Sequence, residues 1–267
     1  MNEAATRRAL VRYSHLMHAL GWVANHDGNL SCRIADDRIV CTPTAFSKAD
    51  VTTDDLLVVD GAGQKLAGAH RPFGELPLHL SVYAARPKVS AVVHTHSPYA
   101  TAFGATGRPL PHPFLPEAVV SLGAYIPTVA LTAPGAPAVH ALRPFLRTCD
   151  AVLIAGNGVL TFGPDLETAW LRAELVEHLC KIALLAAPLG GVTPLPDEMV
   201  KTLVERRAAA GLAAPDEGKP PEALGVAAER EHLATAATRS ALKGLSGADA
   251  KRAAKLSREA SARLVKG

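Results

Sequence analysis

The sequence predicts a layered α/β protein, a sheet with helices packed on its faces, on three observations. β-Branched apolar runs fill the middle of the chain, and segments with a three- to four-residue apolar period cover both ends. Of the 267 residues, 48% are hydrophobic and 20% charged, which belongs to a globular protein and excludes disordered, collagenous and disulfide-stapled classes.

Each element follows from its own text. Residues 4–20 set Leu10, Tyr13, Leu16, Met17 and Leu20 at helical steps, and Gly21 can end the helix. NLSCRIADDRIVCT, 29–42, reads as two short strands around an Asp36-Asp37 turn. LLVVD, 56–60, runs as a strand into a Gly-rich hairpin at 61–68, whose glycines lack the spacing of a dinucleotide loop. ELPLHLSVYAAR, 75–86, is helical with Pro77 in its first turn, and VSAVVHTH, 89–96, is a buried strand. Further strands are expected at 125–130 and 151–155, then a long helix over 165–187.

Composition shifts near residue 188, where Pro188, Pro194, Pro196, Pro215, Pro220 and Pro221 lead into Ala/Lys/Arg-rich text. The reading is a domain over 1–190 and a Pro-punctuated, helical C-terminal extension over 191–267. Residues 219–267 hold ten Lys plus Arg against five acids, so the first 218 residues carry −2 of the chain's net +3. No aromatic residue follows Trp170 to stack on bases, so the basic stretch is read as a solvated face and nucleic acid is not an expected partner. The charged N-terminus is no secretory signal, and no window reaches the roughly 18 uncharged apolar residues of a membrane span. Cys32, Cys41, Cys149 and Cys180 form no CxxC pair and are expected as buried hydrophobes in a reducing cytoplasm.

The sharpest chemical signal is His94-Thr95-His96. Alternation along a strand puts both imidazoles on one face, where each can give one nitrogen to a divalent metal. Two histidines on a strand can equally sit in unrelated hydrogen bonds. Glu75 opens the helix that follows Arg71-Pro72-Phe73-Gly74 and precedes that strand; a carboxylate beside a cation stays ionised and can exchange protons with substrate, though alone it would read as a helix N-terminal acid. The turns around Gly28-Asn29 and Thr42-Pro43-Thr44 expose amides and small polar groups that can hold an anion.

Four ordered segments, GWVANHDGNLSCRI, CTPTAFSKADVTTDDLLVVD, RPFGELPLHLSVYAARPKVSAVVHTHSPYATA and AVLIAGNGVLTFGPDLETAWLRAELVEHLCKIA, resemble the class II aldolase/adducin-head family from about residue 5 to 190. The resemblance implies a three-layer α/β/α fold with a central mixed, largely antiparallel sheet, a homotetramer with metal sites near subunit interfaces, and a divalent metal, zinc first with iron or manganese as alternatives. It makes His94 and His96 metal ligands and Glu75 the acid/base.

Three departures shape the expected chemistry. Where the family has its third histidine ligand, this chain reads Gly156-Asn157-Gly158, so Asn157 takes the ligand's place with a weaker, harder oxygen donor. Two histidines and a carboxylate would suit iron(II) or manganese. Phe73-Gly74 replaces the family's serines, and Thr44-Ala45 its Thr-Gly; lost hydroxyls and a new ring point to an unphosphorylated substrate against an apolar wall. Asn29, Thr44, Phe73, Gly74 and His112 are the expected substrate contacts. His79 supports Glu75 from the same helical face, and His26 is expected exposed.

The resulting expectation is a lyase that breaks a carbon–carbon bond of a small keto or hydroxy acid, by retro-aldol cleavage or decarboxylation, through a metal-stabilised enolate. The resemblance also extends to iron-dependent oxygenation of hydroxyaryl-keto acids, and to a non-catalytic module of the adducin kind.

Overall fold

The computed structural model describes residues 2–219 apart from 107–109, 111 and 112. The N-terminal stripe forms α1 (Glu3–Ala19), capped by the Asn2 side chain, which accepts from the Ala5 amide. The two strands expected over 29–42 are β1 (Asn29–Ala35) and β2 (Arg38–Cys41) around the acidic turn. Then come β3 (Leu57–Val59), β4 (Lys65–Ala67), α2 (Leu76–Ala85) and β5 (Ala91–Thr95). The remainder is α3 (Pro98–Ala105), α4 (Pro116–Leu122), β6 (Thr128–Val129), α5 (Ala136–Leu142), β7 (Ala151–Ile154), β8 (Val159–Gly163), α6 (Leu166–Ala186) and α7 (Asp197–Ala209).

One eight-stranded sheet runs in the order β4-β3-β2-β1-β5-β8-β7-β6. Every pair is antiparallel except β6 with β7. The sheet is therefore mixed and largely antiparallel, as expected. Alternation along β5 sorts its side chains between two layers. Val92 joins Ile39, Leu57 and Phe162 beneath Leu78 and Val82 of α2, with Leu142 of α5 in the same cluster. Ala91 and Val93 join Leu30 and Val40 on the other face, beneath Leu10 and Met17 of α1 and Trp170 of α6. Trp22 stacks on Trp170 with centroids 4.9 Å apart. Three layers result, and the four cysteines are buried and unpaired.

Two boundaries differ from expectation. The strand expected at 125–130 shrinks to Thr128–Val129, because Pro127 has no N–H for the ladder and offers only its carbonyl, to the Leu153 amide. The domain does not close near 190. The compact unit extends to Gly218, and α7 packs on α4. The prolines there mark turns leading into α7, whose N-cap is Pro196.

An ionic knot holds that segment. Asp150, wholly buried ahead of β7, pairs with Arg86 at 2.9 Å, Arg172 at 2.8 Å and Arg207 at 2.6 Å. The guanidiniums spend their remaining donors on the carbonyls of Leu146, Cys149, Phe162, Val120 and Ser121, and Arg207 also meets Glu217 at 2.9 Å. No buried donor set of this size is tolerable unless nearly every N–H is matched.

Among the described residues, two non-glycine residues take left-handed backbone, Asn25 (φ 51) and Ala45 (φ 57). Asn tolerates that region; alanine does so at a cost.

Arg207→Met leaves Glu217 with only the Ala214 amide and Asp150 short of one guanidinium; urea unfolding is expected to show a loss of about 3 kcal/mol, and a loss under about 1 would mean the knot is dispensable. Ala45→Gly is expected to raise stability by about 0.5–1 kcal/mol, the relief of αL strain exceeding the added chain entropy, whereas a lowered melting midpoint would refute the strain.

Candidate metal centre and active site

The site is assembled at the C-terminal end of β5, on the α2 side of the sheet. His94 lies across from Asn29 of β1 in the ladder, so the two side chains share a face. Glu75 is the N-cap residue of α2, following the 71–74 turn, and Pro72 of that turn bridges to Pro43. Asn157 sits in the tight turn between β7 and β8. That turn presses on the end of β5 so closely that a Cβ at Gly158 (φ +76) would lie 2.0 Å from the Thr95 carbonyl oxygen. Gly28 (φ +66) plays the same part on the other flank, where a Cβ would strike Val23 Cγ1 at 2.4 Å.

Glu75, His94 and His96 present one ligand atom each, all within 4.8 Å of one another. The imidazoles turn their Nε2 atoms face to face at 3.1 Å, and Glu75 Oε1 lies 3.3 Å from His94 Nε2. His94 Nδ1 is 3.1 Å from the Val159 carbonyl, an acceptor that requires the proton on Nδ1 and leaves the Nε2 lone pair inward. His96 directs Nδ1 outward, 3.5 Å from Asp27 Oδ2. Two inward lone pairs with a carboxylate oxygen beside them repel one another unless a cation or proton stands among them, so this donor set fits a divalent metal.

Glu75 is also the centre of a hydrogen-bond fan. Asn29 Nδ2 donates to Oε2 at 2.8 Å and Asn157 Nδ2 to Oε1 at 2.6 Å. Burial alone would raise the Glu75 carboxyl, but a proton shared at His94 Nε2 in place of a metal, with the bonds donated by Asn157 and Asn29, outweighs it and holds the carboxyl well below the usual carboxylate range, so it is ionised. Behind it, the Ser31 hydroxyl lies 2.8 Å from His79 Nδ1 and 2.7 Å from the Tyr83 hydroxyl. Burial pushes His79 down to about 3, so that ring is neutral. Asn29 Oδ1 and His79 Nε2 are buried and have no hydrogen-bond partner.

Beyond Glu75 and Asn157 opens a cleft of about 260 Å³ whose walls are almost wholly apolar, with Pro77, Leu78, Leu131, Ala138 and Ile154 among them. Gly74 borders it, and a Cβ there would meet open space.

The structure thus brings Glu75, His94, His96, Asn29, Asn157 and Gly74 to one place. Phe73 is set apart from this group: the residue is 7% exposed and its ring packs edge-on to His79, 4.9 Å between centroids, in the core cluster under α2. Its apolar character drives it inward as the chain turns into the helix. Thr44 is half-buried, its amide donating to the Arg71 carbonyl. His26 is exposed, and His112 lies outside the described residues. Two groups went unread in the sequence. Asp27 orients His96, and Lys48 is 1% exposed, its ammonium donating to the Phe46 carbonyl and pulled by burial down to about 8. Neither stands in a periodic pattern that would have marked it.

Residues 8–184 match the family described as Class II Aldolase and Adducin N-terminal domain. The chain is 32% identical over 213 residues to the 3-oxo-tetronate 4-phosphate decarboxylase of Haemophilus influenzae, covering 77% of this chain and 99% of that protein. It is 30% identical over 182 residues to the L-fuculose phosphate aldolase of Methanococcus vannielii, covering 66% of this chain and 93% of that one. A solved L-fuculose 1-phosphate aldolase superposes with a TM-score of 0.71 at 25% identity, over 77% of this chain and 97% of its own. With the family matched across most of the described body and its fold shared, the chain belongs to the class II aldolase and adducin N-terminal domain family.

Proposed function

We propose that the protein is a metal-dependent lyase that breaks a carbon–carbon bond beside the carbonyl of an unphosphorylated keto or hydroxy acid, by retro-aldol cleavage or decarboxylation. The observation that carries this reading is the convergence of the Glu75 carboxylate with the inward Nε2 atoms of His94 and His96. Those three residues would hold the metal, with zinc the first choice and Asn157 placed near enough to Glu75 to add its amide oxygen or orient the carboxylate. When bound, the ion supplies a Lewis acid for a keto oxygen and a counter-charge for the electron pair released by bond cleavage.

The chain's own residues do the rest. Glu75 is ionised and takes or returns the substrate's proton, and its oxygens are aimed by the Asn29 and Asn157 amides. Asn29 Oδ1, buried and without a partner, would accept from a hydroxyl that enters beside Glu75. The two relatives carry phosphate in the names of their substrates, but Phe73-Gly74 brings no hydroxyl to the loop before Glu75. The apolar cleft beside Glu75 supports a substrate with an aliphatic or aromatic end. The family resemblance adds the expectation of a homotetramer, and the unpaired cysteines that of a cytoplasmic protein. A second reading, an iron(II) oxygenase, is favoured by the same set of two histidines and one carboxylate. Oxygen uptake with ferrous iron separates it from a lyase.

Metal analysis of the purified protein, with aldehyde and carbon dioxide release from a panel of phosphorylated and free keto and hydroxy acids, tests the proposal. His94→Ala is expected to lose both metal and turnover, and full activity without metal would refute the lyase. Glu75→Gln is expected to slow turnover by about 10²–10⁴-fold while the fold melts normally. Asn157→His supplies a third imidazole, so chelator competition is expected to show zinc held at least about tenfold tighter; unchanged affinity would place residue 157 away from the metal.

A further inference from the structure

Lys48 is a charged group beside the metal centre that the proposed chemistry leaves unused. It stands on the loop after β2, which is pinned to the turn ahead of Glu75 at two points: Pro43 bridges to Pro72, and the Thr44 amide donates to the Arg71 carbonyl at 3.0 Å. The Phe46 ring packs on His70, 4.6 Å between centroids, and fixes the middle of the loop. Lys48 turns inward from there and is 1% exposed. An ammonium has three N–H groups to place. Among the described residues one is matched, by the Phe46 carbonyl at 3.2 Å, and no carboxylate forms an ion pair with it. Burial pulls this lysine down, while attraction to Asp27 and Glu75 opposes the fall, so the ammonium lies in the field of the metal centre.

Charge indicates what that cation is for. A divalent ion held by Glu75, His94 and His96 would balance the Glu75 and Asp27 carboxylates, and Lys48 would then remain as a positive charge without a counterpart. An uncompensated charge out of water is costly, so the site gains most from a ligand that brings a single negative charge. A carboxylate brings one, whereas a phosphate monoester brings about 1.5 to 2. We propose that Lys48 is a specificity-determining residue whose ammonium receives the carboxylate of a keto or hydroxy acid, so that the protein selects its substrate by one negative charge. This rests on the lyase reading above and names the group by which that site recognises an acid.

Calorimetric titration of the zinc-loaded full chain with pyruvate and with hydroxyacetone tests it, since the two probes share a ketone and a neighbouring oxygen but differ in charge. Pyruvate is expected to bind at least about tenfold more tightly. Lys48→Met, which keeps the stem and removes the charge, is expected to cost pyruvate at least about tenfold while hydroxyacetone stays within about twofold. Equal affinity of the parent for the two probes overturns the proposal without any variant. A folded Lys48→Met that keeps the preference overturns it too, as does one that weakens both probes alike, the mark of a cation that only shapes the site. Dihydroxyacetone phosphate losing more affinity than pyruvate in Lys48→Met would give the ammonium to a phosphate and overturn the carboxylate. A protein that takes up no zinc, seen before any probe is added, overturns the metal reading and the charge count with it; zinc uptake without the preference overturns the part of Lys48 alone.

Discussion

An ionised carboxylate taken most of the way out of water is the constraint on which the site depends. Glu75 has 27% of its side chain exposed, and it stays charged because Asn29, Asn157 and His94 surround it. Those neighbours come from β1, the β7–β8 turn and β5, so the carboxylate is satisfied only if three separate strand registers are right. A slip of one residue in β1 would turn Asn29 to the α1 layer and Leu30 toward Glu75. Matching that charge therefore depends on the pairing of the central strands, and the two close approaches at Gly28 and Gly158 are the backbone's part in it.

Comparison with Asp150 shows why Glu75 can act and Asp150 cannot. Asp150 is surrounded by three guanidiniums, which neutralise its charge and leave no room for a ligand. Glu75 is held by two neutral amides and an imidazole. These orient its lone pairs without cancelling its charge, and they leave it beside an apolar cleft where a substrate's proton can be reached. One buried acid fastens the fold, and the other is kept available.

Much of this was legible in the sequence. The alternation through Val92, His94 and Ala91, Val93 is written in a five-residue strand, and so are its two faces. The spacing from Glu75 to the histidine pair was readable as well, because both ends carry chemistry that apolar runs rarely contain. The unread parts share a different cause. Helices α3, α4 and α5 are seven or eight residues long with proline in the first turn, too short for an apolar period to declare itself. Phe73 could face either way from a turn, and only the space under α2 decided for the core. Lys48 is buried by tertiary packing that no local pattern encodes. Proline-rich text looks the same between domains and between two helices of one compact unit, so the run of that unit to Gly218 leaves no local signal.

The knot around Asp150 also bears on how the protein is made. Its partners stand at positions 86, 172 and 207, so during vectorial synthesis the carboxylate acquires its last guanidinium only when α7 has left the ribosome. A nascent chain ending near residue 190 has the whole sheet in hand, yet it lacks one of the three guanidinium donors to Asp150 and has an α4 surface without its α7 cover. The last contacts of the body are thereby available only at the end of its translation. The long-range contacts within the sheet, costly to close one by one, are locked together by a residue that arrives last.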